Sequence, residues 1–222
     1  MKTTTTIQVL KLSFYCAMAF LVLLTTLHVL KPDYDPTWRL ISEYEIGEYG
    51  WVMRMAFFCW GLAFVSLSLG TWSMLQAFSG FMGKWGLLVL GIAVIGAGFF
   101  APLPITTTIR TTTDRIHGAC GGILIFTFPL LAPFASYAIT KQLSDQRSKL
   151  IICAVTLLVW IGIAVFFSAL IKYSPEAKTR NYSAATLIGL PNRFMVFTYT
   201  VWLLLCSYIL KKALQTKVNQ SI

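Results

Sequence analysis

Negative charge is scarce in this chain. Only eight of its 222 residues are Asp or Glu, and charged residues of both signs make up 12%. A soluble domain carries about 25% charged residues. With 57% of its residues hydrophobic, the composition is that of a membrane protein. Histidine is scarcer still, at two residues, His28 and His117. The five cysteines are odd in number and all sit in apolar runs: Cys16, Cys59, Cys120, Cys153 and Cys206. They show no C-x-x-C or Cys/His ligand spacing, which disfavours a disulfide framework or a zinc site. They read as small apolar packing residues. The net charge of +10 comes without a Lys/Arg cluster or stripe, so no nucleic-acid partner is expected. No G-x-S-x-G elbow and no internal repeat is visible, and no cofactor or metal is expected.

What is present is length of apolar sequence. About 20 apolar residues cross a bilayer as a helix, and six stretches qualify, at about 12–30, 50–75, 85–101, 116–139, 150–171 and 193–210. Residues 1–222 therefore read as one all-α domain, a polytopic membrane bundle of six transmembrane helices. Pro129 and Pro133 fall inside the fourth span and are expected to kink it. Gly118 with Gly122, and Ala93 with Ala97, are spaced four apart, which predicts close contact between the third and fourth spans.

The loops after spans one, three and five are long, and those after two and four are short. With six spans, the three long loops share one face and the termini share the other. Lys and Arg divide evenly, nine of the 18 on each face. The basic residues beside the termini lie in the shorter loops, where the positive-inside rule acts most strongly. This places the termini in the cytoplasm. Membrane lipids are the expected surroundings.

The first long loop holds five of the eight carboxylates: Asp33, Asp35, Glu43, Glu45 and Glu48. Asp35 before Pro36 suits an N-cap with proline at the first helical position. A short interfacial helix over 37–45 would follow, with Gly47 ending it and Trp38 and Tyr44 at headgroup level. The other long loops bring His117 and Arg193 to the starts of spans four and six, and Arg54 lies just inside span two. Ser42, Glu43, Arg54, His117 and Arg193 thus share one face at similar depth. Arginine offers a donor fork for phosphate or carboxylate, and His and Glu can exchange protons. Glu43 and His117 are therefore the candidate catalytic pair, and Ser42, Tyr44, Arg54 and Arg193 the candidate ligand-binding residues. Each has a plainer reading. Arg54 can snorkel to the interface. Glu43 can pair with Arg193 or Arg54. His117 can make a structural hydrogen bond, and Ser42 can bond backbone. His28 reads as interfacial, Thr113 or Asp114 as the cap of the fourth helix, and the remaining loop acids as solvated.

The run ISEYEIGEYGWVMRMAFF, a Gly-rich third span, His117-Gly118 and Gly189-Leu190-Pro191-Asn192-Arg193 together resemble the prokaryotic membrane family known as domain of unknown function 998. The matching positions are Ser42, Glu43, Tyr44, Gly47, Tyr49, Gly50, Trp51, His117 and Arg193. The resemblance implies a six-span protein and supplies no activity. The family's F-P-x-D pattern after the third span is here Phe100-Ala101-Pro102-Leu103-Pro104, without Asp, unless Asp114 substitutes.

Three functions fit these residues. One is a polar site at the outer face that binds or processes a lipid headgroup or small anionic molecule. The others are a small transporter and a structural or assembly subunit without catalysis. Spans three and five carry no ionisable residue near the midplane, which weighs against transport. Two histidines on one face weigh against zinc hydrolysis and bis-histidine haem.

Overall fold

The computed structural model describes residues 3–220. Its helices are α1 (Thr3–Leu30), α2 (Gly50–Thr71), α3 (Phe78–Phe99), α4 (Thr112–Thr140), α5 (Gln146–Lys172), the single-turn-scale α6 (Ser174–Thr179) and α7 (Gly189–Gln220). Two 3-10 turns, Ile41–Glu45 and Ala184–Thr186, interrupt the loops. There is no strand among the described residues. All helices but α6 are long and apolar enough to cross a membrane. The six spans close into a ring: each packs on its neighbour in sequence, and α7 returns to sit between α5 and α1. The helices outrun the expected spans at their polar ends. α1 begins at Thr3, and α7 continues past Lys211 and Lys212 to Gln220.

The centre of the ring is filled by aromatic rings from four helices. Phe20 stacks on Trp60 at 4.4 Å, and Phe64 meets Phe128 edge-on at 5.3 Å. Phe128 in turn contacts Tyr199 at 4.6 Å and Trp202 at 5.3 Å. Lipid tails are as apolar as these side chains, so close packing and internal hydrogen bonds must hold the helices together. Ser13 Oγ donates to the Ala63 carbonyl and shares a hydrogen bond with Ser207 Oγ, joining α1, α2 and α7. Trp202 Nε1 donates to Ser136 Oγ, which pairs with Thr156 Oγ1, joining α7, α4 and α5.

Both prolines lie within a continuous α4. Pro129 has no N–H to give the carbonyl four residues earlier, that of Ile125. Tyr199 Oη donates to it instead at 3.2 Å. α3 and α4 pack closely, as the small-residue spacing predicts, and Ala93 and Ala97 are buried, with the Ala97 carbonyl against His117 of α4, but Gly118 and Gly122 do not make the contact. A Cβ on Gly83 would lie 2.8 Å from Ala135 Cα, whereas one on Gly118 would meet nothing within 4 Å, and one on Gly122 would graze only Phe126 of its own helix. Gly118 and Gly122 do not bring helices together; they leave space.

Candidate functional site

The three long loops meet at one end of the ring. The first is folded inward rather than laid along a membrane surface. The expected interfacial helix over 37–45 is replaced by turns and the 3-10 segment Ile41–Glu45, whose Ile41, Glu43, Tyr44 and Glu45 are all buried. Asp35 does not cap a helix. Its carboxylate accepts from the backbone N–H and hydroxyl of Thr37 in a tight local turn. Lys31 closes the base, donating from Nζ to the carbonyls of Tyr44 and Ile46. Gly47 then turns the chain at φ +73°, a conformation that suits glycine. Gly50 starts α2 hard against the carbonyl of Glu45, where a Cβ would clash.

Glu43 is fully buried and fully bonded. One oxygen accepts from Arg39 and from the Ile105 backbone N–H, and the other accepts from the Leu40 N–H. Its ion pair is with Arg39 at 2.8 Å, not with Arg193 or Arg54. Glu43 thus ties the first long loop to the α3–α4 loop. Arg193 does similar work. It donates to His28 Nε2, the Arg39 and Gly189 carbonyls and Tyr44 Oη, and it covers the Tyr44 ring. Four bonds leave little of its five-donor fork for a ligand. His28 is not simply interfacial, because its second nitrogen bonds the Leu24 carbonyl within α1.

Glu45 is the residue that the sequence did not single out. Read there as one of the solvated acids, it is 2% exposed. Neither of its oxygens has a hydrogen-bond partner among the described residues. Arg54 Nε approaches to 3.3 Å and His117 Nδ1 to 3.7 Å. Burial pushes the carboxyl up to about 7, although Arg54 pulls in the opposite direction. Arg54 keeps half its side chain exposed while meeting this carboxylate, so it both snorkels and pairs.

His117 caps α3. Its Nδ1 lies 3.0 Å from the Ala97 carbonyl and 2.8 Å from that of Phe100. The last carbonyls of a helix lack partners of their own. Two acceptors at Nδ1 assign the proton to that nitrogen, which leaves the lone pair on Nε2. The cap of α4 is Thr111, whose Oγ1 accepts from the Asp114 N–H. The expected caps, Thr113 and Asp114, lie inside the helix. The Asp114 carboxylate instead bonds Arg110 and the Leu103 N–H. It therefore touches the loop where an F-P-x-D acid would lie.

A cavity of about 510 Å³ opens among these groups, between the loop-side ends of α2, α3, α4, α5 and α7. Phe57, Trp60, Val94, Ile125, Phe166 and Met195 form much of its apolar wall. Arg110, Asp114, His117, Arg180, Tyr182 and Asn192 give it polar edges, and Ser42 reaches it as well. Gly118, Gly121 and Gly122 line the α4 side and make the room. Trp60 Nε1 is buried with no partner among the described residues. Of the residues expected at the site, Ser42 and His117 line the cavity, while Glu43, Tyr44, Arg54 and Arg193 form the scaffold beside it. No group of three or more metal-ligating side chains is found among the described residues.

The family Protein of unknown function (DUF998) matches residues 14–208, from α1 to within α7. The chain belongs to the DUF998 family. Neither a curated protein nor a solved structure matches it. In this DUF998 protein the motif residues Glu43, Tyr44, Gly47 and Gly50 build the inward-folded loop, and His117 and Arg193 fasten neighbouring elements to one another. Arg110, Arg180 and Tyr182 carry no motif signal. Asn192 stood within the resembling stretch, and its Oδ1 accepts from the Ile41 N–H.

Proposed function

We propose that this DUF998 protein resides in a prokaryotic cell membrane, termini in the cytoplasm, and binds an amphiphile in the cavity beneath its three long loops. The observation that carries this reading is the division of the cavity lining into a deep apolar wall and a polar rim holding two arginines. Pockets of about 300–1,000 Å³ with a few convergent polar groups are typical ligand sites. Arg110 and Arg180 suit an anionic headgroup. Asp114 neutralises part of that charge, which favours a singly charged or zwitterionic headgroup over a highly charged one. The His117 Nε2 lone pair can accept a hydrogen bond or a proton from the headgroup. The unpartnered indole N–H of Trp60 gains from an acceptor deeper in the cavity.

Purification in mild detergent followed by extraction and mass spectrometry tests this. A defined amphiphile should accompany the wild-type protein. It should be lost from Gly121→Leu, which fills the cavity from a helix position where a Cβ meets nothing within 4 Å. Identical extracts from the two proteins, both folded, would overturn the reading.

A further inference from the structure

We propose a second lipid site at the opposite face of the membrane, a cleft that holds the phosphate of an anionic phospholipid. It does not rest on the cavity described above. The cleft measures about 750 Å³ and lies between the start of α5 and the end of α7. Arg147, Lys212 and Lys217 line it, all with exposed side chains. None of the three lies within 4 Å of a carboxylate among the described residues, where four ion pairs occur in all. The one acid in the lining is Asp145. Its carboxylate is engaged as the N-cap of α5, accepting from the N–H groups of Arg147 and Ser148 and from Ser148 Oγ. The cleft therefore carries three cations against one occupied anion.

Position selects the occupant. α7 crosses the membrane and continues as a helix through Lys211–Gln220, so its basic tail stands just outside the apolar span. α5 begins with Gln146 and becomes apolar at Leu150. The cleft thus lies at headgroup depth, and the exposed Ile151 and Tyr208 form part of its apolar lining. A phosphate among the basic groups would leave its acyl chains against these side chains. Basic pockets at the cytoplasmic ends of spans suit anionic headgroups, because each Lys or Arg near such a surface adds favourable electrostatics. The Ser144 hydroxyl also lines the cleft and offers a neutral donor, while that of Thr216 donates to the Lys212 carbonyl. Inorganic phosphate has the same charge chemistry but lacks the chains, so the proposal commits to the lipid.

The experiment measures thermal unfolding of the full chain in dodecyl maltoside micelles doped with phosphatidylglycerol, with phosphatidylcholine, or with neither plus inorganic phosphate. Phosphatidylglycerol should raise Tm by several degrees more than phosphatidylcholine, and inorganic phosphate should leave it unchanged. The triple variant Arg147→Gln, Lys212→Gln, Lys217→Gln should lose this preference. A second triple variant at the other face, Arg115→Gln, Lys172→Gln, Lys178→Gln, removes the same charge and should keep it. Equal stabilisation of wild type by both lipids would overturn the proposal. So would full stabilisation by inorganic phosphate, or an equal loss of preference in both triple variants. If the first variant does not fold, raised salt replaces it as the test. Salt must abolish the wild-type preference for phosphatidylglycerol, and a preference that survives 1 M salt overturns the site.

Discussion

Arg54 Nε stands 3.3 Å from a Glu45 oxygen without making a well-directed hydrogen bond to it. The carboxylate is buried beneath the 3-10 turn, and the guanidinium remains half in solvent. Attraction from Arg54 at the edge is therefore weaker than the desolvation of Glu45 at the centre, and the carboxyl is pushed up to about 7. His117, from α4, also faces it, with Nδ1 at 3.7 Å.

The sign of the pH effect follows. Between about 4.5 and 7 the folded protein keeps a proton on Glu45 that the unfolded chain has released. Stability is then lost as pH rises through that window and is flat above it, with a total of order 3 kcal/mol. Glu45→Gln should flatten the decline. Its Tm should match wild type near pH 5 and exceed it at pH 8. A variant less stable than wild type at pH 8 would show that the ion pair with Arg54 outweighs desolvation.

Arg193 joins His28 of α1, Tyr44 and Arg39 of the first loop, and its own helix. Lysine keeps the charge but not the planar fork. Arg193→Lys should destabilise the protein by about 2–4 kcal/mol, since hydrogen bonds from charged groups contribute about 1.5–3 kcal/mol each. The loosened loop should become cleavable by protease between residues 31 and 49. An intact loop in the variant under native conditions would contradict the role assigned to Arg193.

Tyr199 and Pro129 should be coupled. Tyr199→Phe removes the hydroxyl that donates to the Ile125 carbonyl and should cost about 1 kcal/mol. Pro129→Ala restores a backbone N–H to that carbonyl. In the alanine background the cost of Tyr199→Phe should shrink measurably. Additive effects in the double-mutant cycle would mean that the hydroxyl does not compensate for the proline.

The glycines divide into two classes by what surrounds them. Gly121→Ala meets nothing within 4 Å and should stabilise α4 by about 0.5–1 kcal/mol, the usual helical difference between the two residues. Gly83→Ala places a Cβ 2.8 Å from Ala135 Cα and should separate α3 from α4. It should lower Tm by several degrees. Thermal unfolding of the two variants side by side decides the matter, and Tm shifts of the same sign would contradict the packing described.

The number of spans is legible in the order of residues alone, because a stretch of apolar residues long enough to cross a bilayer needs no tertiary partner to be recognised. Loop lengths then put Glu43, His117 and Arg193 at one face by simple alternation. What each residue does there depends on how the loops fold against one another. Glu43 and Glu45 are two positions apart with the same side chain, yet one accepts three hydrogen bonds and the other accepts none. Which carboxylate meets the donors depends on the 3-10 turn and on the Ile105 N–H supplied from another loop, and neither has a periodic signal. Gly118 and Gly122 show the same division. Their spacing indicates that helices can approach, and only the placement of the neighbouring helices shows that α3 meets α4 elsewhere, through Gly83 and Ala135, while these two glycines open onto a cavity.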